Sequence, residues 1–178
     1  KSGLESWRNV NAKPRTRDKA ELTLIENGAQ AYQQICITCH GPDGKGVTPP
    51  GAPTLAPTLV GSPRVLGPKE ALVRILLHGL TGPIDGTAYP DVMIGMGQNS
   101  DEWMAAISSY IRNSFGNRAS LVSPADVKRV RAATAGRKAP WTSAELAASL
   151  PRQMVVDSRW KLSASHNSET AINALSIQ

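Results

Sequence analysis

The pentapeptide Cys36-Ile37-Thr38-Cys39-His40 constrains this chain more than any other feature. It holds both cysteines of the sequence and one of its three histidines. Thiols separated by two residues at a helix end can reach the two vinyl groups on one porphyrin edge. The next residue then points an imidazole nitrogen at the iron. This is the C-x-x-C-H pattern of covalent c-type haem attachment. It predicts one haem c bound through Cys36 and Cys39, with His40 as proximal ligand. A structural zinc site needs four ligands, usually with a second Cys/His pair, whereas His78 and His166 are far apart and isolated in the sequence. A thioredoxin-type pair requires a βαβ setting, but this one follows a helical pattern and precedes a Gly/Pro-rich loop.

Composition agrees with that reading. Aromatic residues make up only 4% of the 178 residues, so the interior must be filled by aliphatic side chains or by a group that is not protein. With both thiols consumed in thioether bonds, no disulfide remains to report on the redox compartment. No apolar run approaches the ~18 residues needed to cross a membrane, so no transmembrane segment is expected. The chain starts at Lys1, which suggests a processed or excised segment of an exported precursor and a periplasmic or otherwise extracytoplasmic location.

The net charge of +6 is unevenly spread. Residues 22–116 carry five basic and seven acidic groups, a net −2, while residues 1–21 contribute +3 and residues 117–178 contribute +5. No basic stripe is interleaved with aromatic or base-reading groups, which argues against nucleic acid as a partner. Basic flanks suit an acidic partner or solubility.

Along the chain, residues 1–18 read as a basic arm. Leu22, Ile25, Ala29, Tyr32 and Ile35 fall at helical spacing, which puts the pentapeptide at a helix C-terminus. Residues 41–68 are rich in Gly and Pro and read as a loop. Pro68 opens a short helix that Gly79 closes, and residues 79–99 again read as loop. Ser100-Asp101-Glu102 starts a helix running to about Phe115, where Gly116 stops it. Further starts follow at Ser123-Pro124-Ala125-Asp126 and Thr142-Ser143-Ala144-Glu145. Residues 117–151 read as a helical extension, and 152–178 as a tail or linker. Long loops around three core helices make sense when they wrap a large prosthetic group.

Cys36-Ile37-Thr38-Cys39-His40-Gly41-Pro42-Asp43-Gly44-Lys45-Gly46, Ala56-Pro57-Thr58-Leu59-Val60-Gly61-Ser62 and Tyr89-Pro90-Asp91-Val92-Met93-Ile94-Gly95-Met96-Gly97 resemble three segments of the class I cytochrome c family. The resemblance covers about residues 19–116 and is closest to haem domains of bacterial quinoprotein dehydrogenases and multidomain periplasmic proteins. It implies an all-α, cytochrome c-like fold: three core helices and long loops wrapped around one covalent haem, followed by the helical extension. It further implies that the Pro57 carbonyl orients His40, that Leu59 packs on the porphyrin, and that a methionine is the distal iron ligand. Met93 is favoured, with Met96 as the alternative; Ile94 stands where the family often has proline after the ligand. Gly28, Tyr32 and Tyr110 are similar to the family's crossing of first and last helices. Residues 159–174 are faintly similar to the opening of a discoidin-type module. His78 is expected to face solvent or the end of its helix dipole, and Met104 and Met154 to be packing residues.

A low-spin iron held by imidazole and thioether has no vacant position, so the expected function is one-electron carriage and not catalysis. The expected partners are redox proteins: a dehydrogenase, an oxidase or another cytochrome. The expected docking patch lies around Ile37, Thr38, the loop at 42–50 and the loop at 90–97. A five-coordinate haem enzyme or gas sensor is the alternative, and membership of a larger redox assembly is compatible with either.

Overall fold

The helix expected ahead of the pentapeptide is fixed by its first residues. Asp18 caps α1, Lys19–Ala31, in a capping box: its carboxylate accepts from the Glu21 amide at 2.8 Å, and the Glu21 side chain reaches back to the Asp18 amide at 3.3 Å. In this computed structural model, residues 16–150 are described. Most of the basic arm lies outside them, as does the tail with Met154, His166 and the discoidin-like segment. After α1 the chain widens into a π-helical turn, Tyr32–Cys36, and then tightens into α2, Ile37–His40. Gly41, at φ 75°, ends the run.

The Gly/Pro-rich segment contains one short helix, α3, Pro63–Leu66, and leads to α4, Lys69–His78. Ser100 caps α5, Asp101–Asn113, accepting from the Trp103 amide at 3.2 Å. This helix ends two residues earlier than its spacing suggested. Phe115 adopts φ 59° and turns its ring onto Tyr32 and Tyr110, with centroids 5.3 and 5.6 Å away. Beyond it lie α6, Pro124–Ala133, and α7, Ser143–Ser149, both opened at the expected caps, Ser123 and Thr142, each of which forms a capping box. The main core is aliphatic: Val65, Val73, Leu76, Met104 and Ile107 are almost wholly buried between α4 and α5.

The segment expected to be loop at 79–99 holds two short strands, β1, Gly79–Thr81, and β2, Met93–Ile94. They pair antiparallel, Leu80 opposite Met93. A third strand from the extension, β3, Trp141–Thr142, lies parallel on the other side of β1, with Leu80 opposite Trp141. Strands of two or three residues leave no alternation to read.

The extension is built into the body. Val122, Val127 and Val130 enter the main core, while Trp141, Leu146 and Leu150 form a second cluster with Ile75, Leu80 and Ile84. Arg112, 3% exposed, donates to the Val65, Gly67 and Ser120 carbonyls at 2.5, 2.9 and 2.8 Å, tying α5 to both α3 and the extension. Asp126 ties α6 to α4. Burial disfavours its charge, but Lys69 at 2.5 Å, Arg129 at 2.7 Å and the Ser123 amide and hydroxyl hold its carboxyl well below the usual range. Because the folded pKa is depressed, this stabilisation is complete above the unfolded carboxyl's pKa near ~4 and fades as pH falls below it. Asp126→Asn is expected to cost about 2 kcal/mol at neutral pH and to flatten the acid limb of a Tm-against-pH curve.

Candidate haem-binding site

A partly open hollow of about 260 Å³ lies between the pentapeptide, α3, α4 and the start of the strand pair. Its walls are mainly aliphatic, including Leu59, Val65, Leu72, Leu76, Leu80 and Ile84. Cys36, His40, Pro57 and Met93 also line it. Residues as far apart as Cys36 and Met93, 57 positions, thus share one cavity wall.

His40 Nδ1 lies 3.2 Å from the Pro57 carbonyl. A carbonyl can only accept, so Nδ1 carries the proton, and the lone pair of the neutral ring is on Nε2. Burial lowers the pKa of His40 and so favours the neutral ring, partly opposed by the Pro57 hydrogen bond. Tyr32, 1% exposed, donates to the Gly41 carbonyl at 2.7 Å and locks the turn that follows the pentapeptide. Burial and the neighbouring Cys39 push the Cys36 thiol up to about 11. Among the described residues, no three His, Cys, Asp or Glu side chains gather to hold a metal ion.

The two methionines separate clearly. Met93 is partly buried and faces the hollow from β2. Met96 is 7% exposed and sits in the main core, and its amide donates to the Leu76 carbonyl at 2.8 Å. Gly79 allows Met93 to come close. At φ 88° its Cα abuts the Met93 carbonyl so tightly that a Cβ would stand 2.3 Å from that oxygen. Of the two places expected for His78, it takes the one in the last turn of its helix and not the solvent-facing one. Its Nε2 lies 2.7 Å from the Thr134 hydroxyl, which itself donates to the Val130 carbonyl, so His78 is the donor between α4 and α6. Burial, with Arg137, Arg131 and Arg74 nearby, lowers its pKa.

Residues 25–115 match the family model for cytochrome c. The chain belongs to the cytochrome c family. It is 35% identical over 114 residues to cytochrome c-552 of Thermus thermophilus, covering 60% of this chain and 85% of that protein. It is 33% identical over 143 residues to the fructose dehydrogenase cytochrome subunit of Gluconobacter japonicus, covering 76% of this chain and 27% of that subunit. It is also 30% identical over 126 residues to the cytochrome c subunit of a quinone-dependent alcohol dehydrogenase of Gluconobacter oxydans, 65% of this chain and 25% of that subunit. The chain therefore spans about a quarter of those dehydrogenase subunits. Coverage of 76% exceeds what residues 25–115 supply, and too few residues precede 25 to make up the difference, so the likeness runs into the extension.

Cytochromes c carry haem c on a C-x-x-C-H motif, and Cys36, Cys39 and His40 are that motif here. The surroundings fit the group: apolar walls for the macrocycle, an imidazole with Nε2 free, and a thioether on the same cavity.

Two polar residues at this site were not singled out by sequence reasoning. Arg64, 8% exposed, lines the hollow and makes a two-pronged pair with Asp85 at 2.9 Å on each arm. Asn117, 4% exposed, donates to the Leu59 and Ile111 carbonyls at 2.9 and 3.0 Å and accepts from the Gly61 amide at 2.9 Å. It pins the loop bearing Pro57 and Leu59 to the end of α5. The only hint in the sequence is its place directly after Gly116.

Proposed function

We propose that this cytochrome c chain is a one-electron carrier, not an enzyme, with its covalent haem ligated by His40 and Met93. It passes electrons between an extracytoplasmic donor, a dehydrogenase or respiratory complex, and an acceptor such as an oxidase or another cytochrome. The observation that carries this reading is the convergence of an oriented imidazole and a thioether on one apolar cavity. When bound, the haem supplies reversible Fe(II)/Fe(III) exchange. The Pro57 carbonyl orients His40 and raises its basicity as a ligand. The Met93 thioether favours the reduced state. Leu59 and the aliphatic walls exclude water, so little solvent reorganises when the charge changes. The exposed Val92 and Ile94, on either side of the cavity-lining Met93, would give a partner an apolar surface next to the haem-binding cavity.

Association with a larger redox assembly is a second reading. It is favoured by the likeness to dehydrogenase cytochrome subunits continuing into the extension. No helix among the described residues is long and apolar enough to cross a membrane.

The test is spectroscopic. The protein, matured in a host that attaches haem c, is expected to carry one haem by mass and to show a low-spin spectrum in both oxidation states. The reduced form is expected to resist carbon monoxide. Rapid carbon monoxide binding would instead support a five-coordinate haem enzyme or gas sensor.

A further inference from the structure

Met93 sits on a strand of two residues, and so short a pairing cannot hold a side chain in place by itself. Downstream, residues 95–99 form no helix or strand. Within the family-matched region it is held by the Met96 amide on the Leu76 carbonyl at 2.8 Å and by Asn99 on the Met96 carbonyl at 3.0 Å, and further ties come from outside that region. Arg131, near the end of α6, donates to the Gly97 carbonyl, to the Asn99 carbonyl at 2.7 Å and to the Asp101 carboxylate at 2.8 Å. Upstream, β1 is clamped between β2 and the extension's β3, and His78, immediately before β1, is tied to Thr134 at 2.7 Å. The extension thus grips the methionine-bearing segment on both sides, and the guanidinium makes its most concentrated contact.

We infer that Arg131 is a positioning residue for the distal ligand, holding the 93–101 segment closed so that the Met93 sulfur stays at the cavity. This rests on Met93 being the ligand. An external ligand can reach the oxidised iron only when the segment swings away, so its binding rate reports the population of the open form. A charged hydrogen-bond donor serving three acceptors should shift that equilibrium by at least as much as one such bond.

The experiment measures binding of uncharged imidazole to the oxidised holoprotein by stopped flow, together with the sulfur-to-iron absorption band. Arg131→Met is expected to accelerate imidazole binding about tenfold or more, the equivalent of one charged hydrogen bond, and to weaken the band. Arg131→Lys should restore part of the closed population. Arg129→Met is the control: it strips bonds to Asp126 and Glu70 from the same helix and should change neither reading. Circular dichroism on each variant verifies that α6 is still folded. If Arg131→Met folds and binds imidazole at the native rate, the inference is overturned. It is also overturned if Arg129→Met has an equal effect, since the extension would then act only through general stability. Failure of the ligand assignment has a different signature, because Met93→Ala would then keep the band.

Discussion

Met93→Ala is expected to abolish the sulfur-to-iron absorption of the oxidised protein, admit imidazole and carbon monoxide readily, and lower the reduction potential. The drop should be on the order of 0.1 V, since axial ligands move haem potentials over a range of ~0.8 V. Met96→Ala should leave all three properties in place and instead reduce stability, by about 2–4 kcal/mol for truncating a buried methionine. The partition follows from where the side chains lie. Met93 is partly buried and lines the cavity, whereas Met96 is 7% exposed, packs in the main core and hydrogen-bonds through its amide to Leu76. Ile94, in the place of the family's common proline, is 69% exposed and leaves Met93 on a strand paired to Leu80. The two variants are separated by titrating potential and by denaturant unfolding. A Met96→Ala protein lacking the band, or a Met93→Ala protein retaining it, would reverse the assignment.

What could be read from the sequence divides along physical lines. Features carried by neighbouring residues were legible: the pentapeptide at a helix end, the capping boxes at Ser123 and Thr142, the Ser100 start. Each is a local arrangement in which the chemistry of three or four consecutive residues decides the outcome. The pairing of His40 with Pro57, 17 residues apart, was not local, and only the family resemblance suggested it. Contacts made by long side chains across the fold left no pattern. Arg64 reaching Asp85, Arg131 reaching Gly97 and Asn99, and Asn117 bridging Leu59 and Ile111 depend on how helices pack, and a surface arginine looks the same in sequence. His78 shows the difficulty from the other side. Its position before a closing glycine suggested solvent or the end of its helix dipole; it does close the helix, but the chain just past α6 arrives there from 56 residues later and supplies Thr134.

The second large effect concerns the crossing of α1 and α5 at Gly28. Gly28→Ala is expected to destabilise the protein although it places a better helix former in the interior of α1. A Cβ at position 28 would stand 2.1 Å from the Ala106 carbonyl oxygen, 2.6 Å from its carbon and 2.7 Å from Tyr110 Cβ. The first two contacts are backbone, so no rotamer change relieves them, and α1 must move away from α5. Alanine gains about 1 kcal/mol of helix propensity over glycine, while overpacking costs about 1–3 kcal/mol and more where the backbone must shift. The cost wins, by about 2 kcal/mol, which corresponds to a Tm lowered by roughly 4–8 °C. Asn27→Ala, one residue earlier on the exposed face, provides the comparison and should be neutral or slightly stabilising. A Gly28→Ala protein with unchanged or higher Tm would show that the two helices are not in contact at this point. A lowered Tm for Gly28→Ala alone has a consequence at the haem, because α1 continues through the turn of Tyr32 into Cys36 and His40. The displacement that relieves the clash then moves the attachment residues relative to Ile111 on α5, which lines the same cavity.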